Sequence, residues 1–262
     1  MSNSVRYPER TVVRLSGVDA HRFLQDLVTN DLGGVTDGAV YSALLTPQGK
    51  YLFDFFVLEL GGDLHVDVAA DRADALTRRL GLYRLRAQVT IEITPLAVAE
   101  VWGGAAPEGE GVFADPRAPA LGWRVYDPDP PARFGPPTEA SEALRDALRV
   151  AHGIPESGIE LRPDETFILE AEFERLNGVD FRKGCYVGQE IVARMKHKTE
   201  LRKGLARVSV EGPPPPPGTE IRADGKPAGT LFTVAEGVGL AHLRFDRAGG
   251  EMQAGEATLR RI

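Results

Sequence analysis

The chain has one cysteine, Cys185, in 262 residues. No disulfide can form within it. Nor can its thiolates alone build a metal site, since zinc and iron–sulfur sites take roughly three or four protein ligands. The five histidines (His21, His65, His152, His197 and His242) show no ligand spacing, and no stable metal is expected. No apolar run approaches the roughly 18 residues of a membrane helix. The nearest candidate, Tyr51 to Leu60, is interrupted by Asp54 and Glu59. Met1 to Arg10 is polar and lacks a signal core, so the chain reads as cytoplasmic, or as a matrix protein without its targeting segment. Positive charge is also short. A net charge of −7 argues against broad nucleic-acid binding, which draws on many Lys and Arg contacts to phosphate. No aromatic-basic interleaving of the RNA-recognition type is visible.

The rest of the composition is that of a soluble globular protein, with 42% hydrophobic and 26% charged residues. The length suits one large domain or two modest ones. Thr11 to Leu15 reads as a strand. Asp19 is a plausible N-cap for a helix from Ala20 to about Val28. Tyr41 to Leu45 and Tyr51 to Leu60 read as strands joined through the turn Thr46-Pro47-Gln48-Gly49. Gly61-Gly62-Asp63 then turns the chain into Leu64 to Ala69 as a hairpin. Asp71 is expected to cap a helix through Leu80, and Val89 to Ile93 reads as a further strand. This order resembles a split βαβ, ferredoxin-like unit and an α+β sheet.

Tyr126 to Pro137 is rich in Pro and Asp and reads as an exposed loop between subdomains. A helix follows over Ala140 to Ala151, ending at His152-Gly153. Thr166 to Arg175 is ambiguous between a short helix and irregular chain. From about Leu201 to Ile262, short apolar runs alternate with Gly-rich turns, the texture of a small antiparallel barrel. Pro213 to Pro217 falls inside this module and would stiffen a loop as polyproline II. A docking site for a proline-recognising partner is the sharper reading of that run.

The chemistry concentrates between Asn177 and Lys198. Gly184 and Gly188 bracket Cys185-Tyr186-Val187, and Ile191, Val192 and Met195 follow Val187 at helical spacing. Cys185 would then sit in a Gly-flanked turn before a helix, where the helix dipole and Lys183 both favour a thiolate. The segment Arg182 to Lys203 carries seven Lys and Arg against Glu190 and Glu200. A solvated face and an anion-attracting site both fit that run. For Cys185, a packing residue and a reactive thiol remain open.

The string Lys183-Gly184-Cys185-Tyr186-x-Gly188-Gln189-Glu190 resembles the signature of the YgfZ family, relatives of the glycine-cleavage T-protein. Leu15 to Asp31 is similar to that family's opening, and Gly153-Ile154-Pro155 to its Gly-aliphatic-Pro. The resemblance implies two ferredoxin-like α+β lobes (residues 1–200, with a loop near 126–138) around a central channel, plus a C-terminal antiparallel β-barrel (residues 201–262). It implies tetrahydrofolate or a one-carbon derivative in that channel. Asp54 matches the position of a folate-contacting acid, and Lys183, Tyr186, Gln189, Glu190 and Arg194 are candidate folate contacts. Cys185 becomes the reactive group of an accessory factor in iron–sulfur cluster assembly or repair. Partners would then be iron–sulfur proteins or assembly factors, with tRNA-modifying iron–sulfur enzymes supported indirectly. Two other activities stay open: a folate-dependent aminomethyltransferase, and a module that binds tRNA directly. Enzymatic turnover is undecided.

Overall fold

A computed structural model describes residues 4–137, 141–198 and 200–262. The first sheet is built from β2 (Arg10–Ser16), β3 (Val40–Leu45), β4 (Tyr51–Leu60), β5 (Asp63–Ala69) and β6 (Thr90–Ile93), in the order β3-β4-β5-β2-β6. Helices α1 (Ala20–Gln25) and α2 (Ala73–Arg84) cover one face, with Phe23, Leu24, Leu76 and Leu80 packed on Phe53, Phe55 and Val57. The other face of β4 meets a second core through Tyr51 and Phe56. Burial on both faces is why β4 reads as a nearly continuous apolar run rather than an alternating one.

Neighbouring strands in this sheet are all antiparallel. A split βαβ unit places an antiparallel strand between its two parallel ones. Here the tight turn at Gly61-Gly62 makes β5 run back along β4, and β5 then lies between β4 and β2 with β6 on the far side of β2. The order β4-β5-β2-β6 is that of the expected ferredoxin-like unit, with β3 added beside β4 as an edge strand.

A four-stranded sheet, β1-β7-β9-β8, comprises β1 (Ser4–Arg6), β7 (Ala97–Trp102), β8 (Val112–Ala114) and β9 (Trp123–Asp127). Strand β9 takes the start of the expected loop near 126–138. Tyr126 is buried and pairs with Val98. The short helix α3 (Pro130–Phe134) takes more of it, because Pro at a helix start gives up no needed N–H, and the Asp129 carboxylate accepts the Ala132 N–H at 3.1 Å. Residues 138–140, including the expected first residue of the next helix, lie outside the described residues. Helix α4 (Ser141–Ala151) buries Ser141, Arg145 and Arg149 at i, i+4 and i+8, so its inward face is cationic.

Two expected caps differ. Asp19 makes no cap bond, and its carboxylate instead accepts the Gln88 N–H at 2.8 Å, tying the start of α1 to the loop before β6. Asp71 sits in a 3₁₀ turn, and α2 starts at Ala73 without a side-chain cap. Residues 166–175 form successive turns rather than a helix. Helix α5 (Gln189–Lys198) follows the Cys185 segment. A closed barrel completes the fold, with β10 (Lys203–Glu211), β11 (Thr219–Ala223), β12 (Lys226–Ala235), β13 (Val238–Arg244), β14 (Met252–Ala254) and β15 (Ala257–Arg261) in the order β10-β13-β12-β11-β14-β15. The five prolines lie in the connection between β10 and β11.

Candidate functional site

Two glycines set the position of the Cys185 segment. Gly188 has φ +82°, and a Cβ there would lie 2.6 Å from the Thr46 carbonyl oxygen and 3.0 Å from Gly49 Cα. Gly49, at φ +74°, would place its own Cβ 2.8 Å from Ile191 Cβ. Backbone-to-backbone approach this close admits only glycine. The turn between β3 and β4 therefore docks directly on the start of α5.

Lys183 fixes the other side. Its ammonium donates to the carbonyls of Gln25 (2.5 Å), Val28 (2.5 Å) and Asn30 (3.2 Å), which closes the end of α1. Burial lowers its pKa to about 8, against the pull of Asp31, Asp26 and Asp180. This lysine is committed to backbone oxygens rather than aimed at a ligand or at the thiol.

Between these anchors Cys185 is exposed. It lies four residues before Gln189, where α5 begins, so it is a loop residue rather than a cap. Tyr186 turns inward into the second core, 5.4 Å from the Lys183 ammonium, and burial pushes its phenol up to about 12. Gln189 is half-buried, while Glu190 and Arg194 are exposed on α5.

Asp54 is elsewhere. It is 4% exposed on interior strand β4, not on a solvent-facing edge. The Tyr41 hydroxyl donates to its Oδ2 at 3.0 Å and the Tyr51 hydroxyl to its Oδ1 at 2.8 Å. Burial first, and Asp54 second, push both phenols well above their ordinary value, so both remain protonated donors. Asp54 lines a small cavity with arginines 6, 10, 117, 124, 145 and 149, and no residue of the Lys183–Glu190 signature lines it.

Around that cavity stands a lattice of buried charges. Arg124, 1% exposed, donates to Asp67 Oδ2 (2.6 and 2.9 Å) and to Glu100 Oε1 (2.7 Å). Arg10 Nε donates to Asp67 Oδ1 at 2.5 Å, and Arg145 Nε lies 2.8 Å from Glu100 Oε2. Arg117 grips Asp115 with two bonds, at 2.7 and 3.0 Å. Arg149 reaches Glu160 at 3.0 Å and Thr233 of the barrel at 2.5 Å. The Arg124 guanidinium also stacks 4.0 Å from the Phe56 ring centroid, with Arg117 at 4.8 Å. Burial alone would raise Asp67, Glu100 and Asp115, but the surrounding guanidiniums outweigh it and hold all three below the ordinary carboxylate range. The lattice joins both sheets, α4 and the barrel. Sequence reasoning missed it. The available signal was the one that exposed Asp54: a charge inside an apolar strand, as in Asp67 of LHVDVA, Glu100 of AVAEVW and Arg124 of WRVY.

The residues around Asp54 do not fit tetrahydrofolate. The cavity measures about 30 Å³, room for a few waters at roughly 10–15 Å³ each, whereas a drug-sized ligand takes roughly 300–1,000 Å³. Of the charged side chains that line it, Arg6, Arg124 and Arg145 pair with Glu100, and Arg149 pairs with Glu156.

Comparison with known proteins fits this geometry. A family model described as the CAF17 C-terminal β-barrel domain matches residues 202–261. The mouse protein "Iron-sulfur cluster assembly factor IBA57, mitochondrial" is 32% identical over 94% of this chain and 79% of its own length. The human protein of the same name is 31% identical, with the same coverage. The Phaeosphaeria nodorum homologue is 31% identical over 91% of this chain and 69% of its own. Among solved structures, the glycine cleavage system aminomethyltransferase T of Bartonella henselae superposes on all of this chain and 85% of its own with a TM-score of 0.82 at 15% identity, a likeness of fold alone. The fold is thus an aminomethyltransferase-like α+β body with a six-stranded antiparallel barrel, and the chain belongs to the IBA57/CAF17 family, the YgfZ type, of iron–sulfur cluster assembly factors.

Proposed function

We propose that this chain handles iron–sulfur clusters as cargo, with Cys185 as the group that touches them. The observation that carries this is the thiol's setting. Cys185 is exposed on a turn pinned from one side by Lys183 and from the other by the Gly49–Gly188 contact. A sulfur held at the surface in a fixed position can enter the coordination sphere of a partner's cluster without refolding of either protein. On ligation the thiol gives its proton to solvent and the sulfur takes one iron position. The remaining ligands must come from the partner, because among the described residues no three of His, Cys, Asp and Glu are grouped to hold a metal. Iron–sulfur enzymes that modify tRNA would depend on it indirectly. The compartment is that of the cluster machinery it serves: the mouse and human relatives are named as mitochondrial, and a chain acting on a bacterial-type machinery works in the cytoplasm.

Tetrahydrofolate is the finer part of this reading, supported by the fold and opposed by the small size of the cavity beside Asp54. Direct calorimetry with tetrahydrofolate is expected to show no saturable heat; a saturable response would mean that the arginine lattice opens.

The test of the main reading is Cys185→Ala in cells that depend on this chain. The variant is expected to melt with the wild type, because the exposed thiol packs against nothing essential, and to lose most of the activity of a [4Fe–4S] enzyme such as aconitase. Full aconitase activity in cells carrying the folded variant refutes the role of the thiol.

A further inference from the structure

The most unusual surface of the molecule lies away from Cys185, where α2 ends. From Thr77 to Val89 the sequence carries Arg78, Arg79, Arg84 and Arg86 and no acid, in a chain of net charge −7. The side chains of Arg78, Arg79 and Arg86 form no ion pair or hydrogen bond with the described residues. The helix dipole accounts for a cation in the last turn, and that describes Arg84 but not the others.

Apolar side chains stand among these charges. Leu82 is 72% exposed and Leu85 is 89% exposed. Val18, 85% exposed, lies in the turn that packs on Gln88, three residues after Leu85, since Gly17 approaches the Gln88 carbonyl and the Asp19 carboxylate holds the Gln88 N–H. Leu85 also carries backbone strain, at φ 42° and ψ −104°, a conformation suited to glycine. A leucine kept in strain so as to face water is a functional hint in itself. The segment then runs into β6, an outer strand of the sheet that pairs with β2 alone. Its outward N–H and C=O groups are open to another strand.

We propose that this surface docks an extended, acidic segment of a partner protein, which adds to β6 as a further strand. The outward edge of β6 supplies main-chain hydrogen bonds, Leu82 and Leu85 receive apolar side chains, and the unpaired arginines meet carboxylates. An anionic membrane fits less well, because the rest of the molecule is acidic and an edge strand offers nothing to lipid. The docking surface does not depend on the function proposed above for Cys185.

The test is a titration of the isotopically labelled full chain with a capped octapeptide alternating aspartate and valine, followed by amide NMR shifts. Saturable shifts are expected from Arg84 to Ile93. They should be lost in Arg79→Glu/Arg86→Glu and weakened at about 0.5 M salt, where the screening length falls to about 4 Å. Leu85→Gly should raise Tm by about 2–4 °C by relieving the strain, yet weaken peptide binding about tenfold through loss of the apolar contact. Cys185→Ala should bind the peptide like the wild type, which separates failure of the docking surface from failure of the thiol. Any of three results overturns the proposal: no shifts in that segment at millimolar peptide, equal shifts with a lysine–valine peptide, or shifts there only on self-association or with phosphatidylserine vesicles.

Discussion

Replacing Lys183 with methionine removes a charge from a chain rich in carboxylates and keeps the length and apolar stem of the side chain. The methionine leaves the carbonyls of Gln25, Val28 and Asn30 without their shared donor. The Val28 bond is buried, and an enclosed acceptor that loses its partner costs about 1–3 kcal/mol. The other two bonds are partly open to water, which can replace the donor at smaller cost. The sum is about 2–4 kcal/mol, and for a chain of this size Tm falls by roughly 5–15 °C.

The pH dependence sharpens the test. The folded pKa of Lys183 is lowered from 10.5 to about 8. Between those values the unfolded chain holds a proton that the folded chain has released, so stability from this group rises with pH. Below about pH 8 the lysine is charged in both states and its burial penalty is fully present. Thermal melts of both proteins from pH 7 to 10 should therefore show the advantage of the wild type widening above pH 8. An advantage that stays flat or shrinks over that range refutes the reasoning, because the three carbonyls would then be holding the ammonium at an ordinary pKa. An unchanged Tm in Lys183→Met refutes the anchoring role altogether.

Arg124→Met should be among the most damaging substitutions in the chain. It leaves Asp67 and Glu100 short of a buried partner and costs about 3–5 kcal/mol, measurable by urea unfolding; a loss below about 1 kcal/mol would show that the other arginines hold the lattice alone. Gly188→Ala forces a Cβ to 2.6 Å from the Thr46 carbonyl at φ +82°, at a cost of about 2–4 kcal/mol. Amide exchange in residues 46–49 should speed up with it, and unchanged protection there would mean that the turn and α5 are not packed as described.

The local rules read from the sequence held where a short-range cause decides the outcome. The Gly61-Gly62 hairpin, the turn at residues 46–49, the apolar β4 and the glycine-punctuated barrel all formed as the residues suggested. The helix after Gly188 did too, because the spacing of Val192 and Met195 is a property of the segment itself. The caps at Asp19 and Asp71 did not form. Asp19 is used at long range by Gln88, and no local pattern records such a partner. The Pro- and Asp-rich stretch beginning at Tyr126 misled for a similar reason: Tyr126 joins a sheet through Val98, far earlier in the chain.

By itself, the sequence determined the family, the lone thiol and its glycine-flanked turn, since those lie in one contiguous string. It could not decide what the other candidates do. Lys183 next to Cys185 looked like a charge for the thiol or a ligand. Only the packed fold brought the end of α1 to it and made it a structural donor. Asp54 looked like a ligand contact on a channel wall. Only the meeting of β1, β2, β3, β4, β9 and α4 gave it two tyrosine donors and lined its cavity with arginines. The physical reason is the same in both cases. The free energy of a buried charge depends on which opposite charges and dipoles lie within a few ångströms, and those neighbours come from strands and helices far apart in the chain.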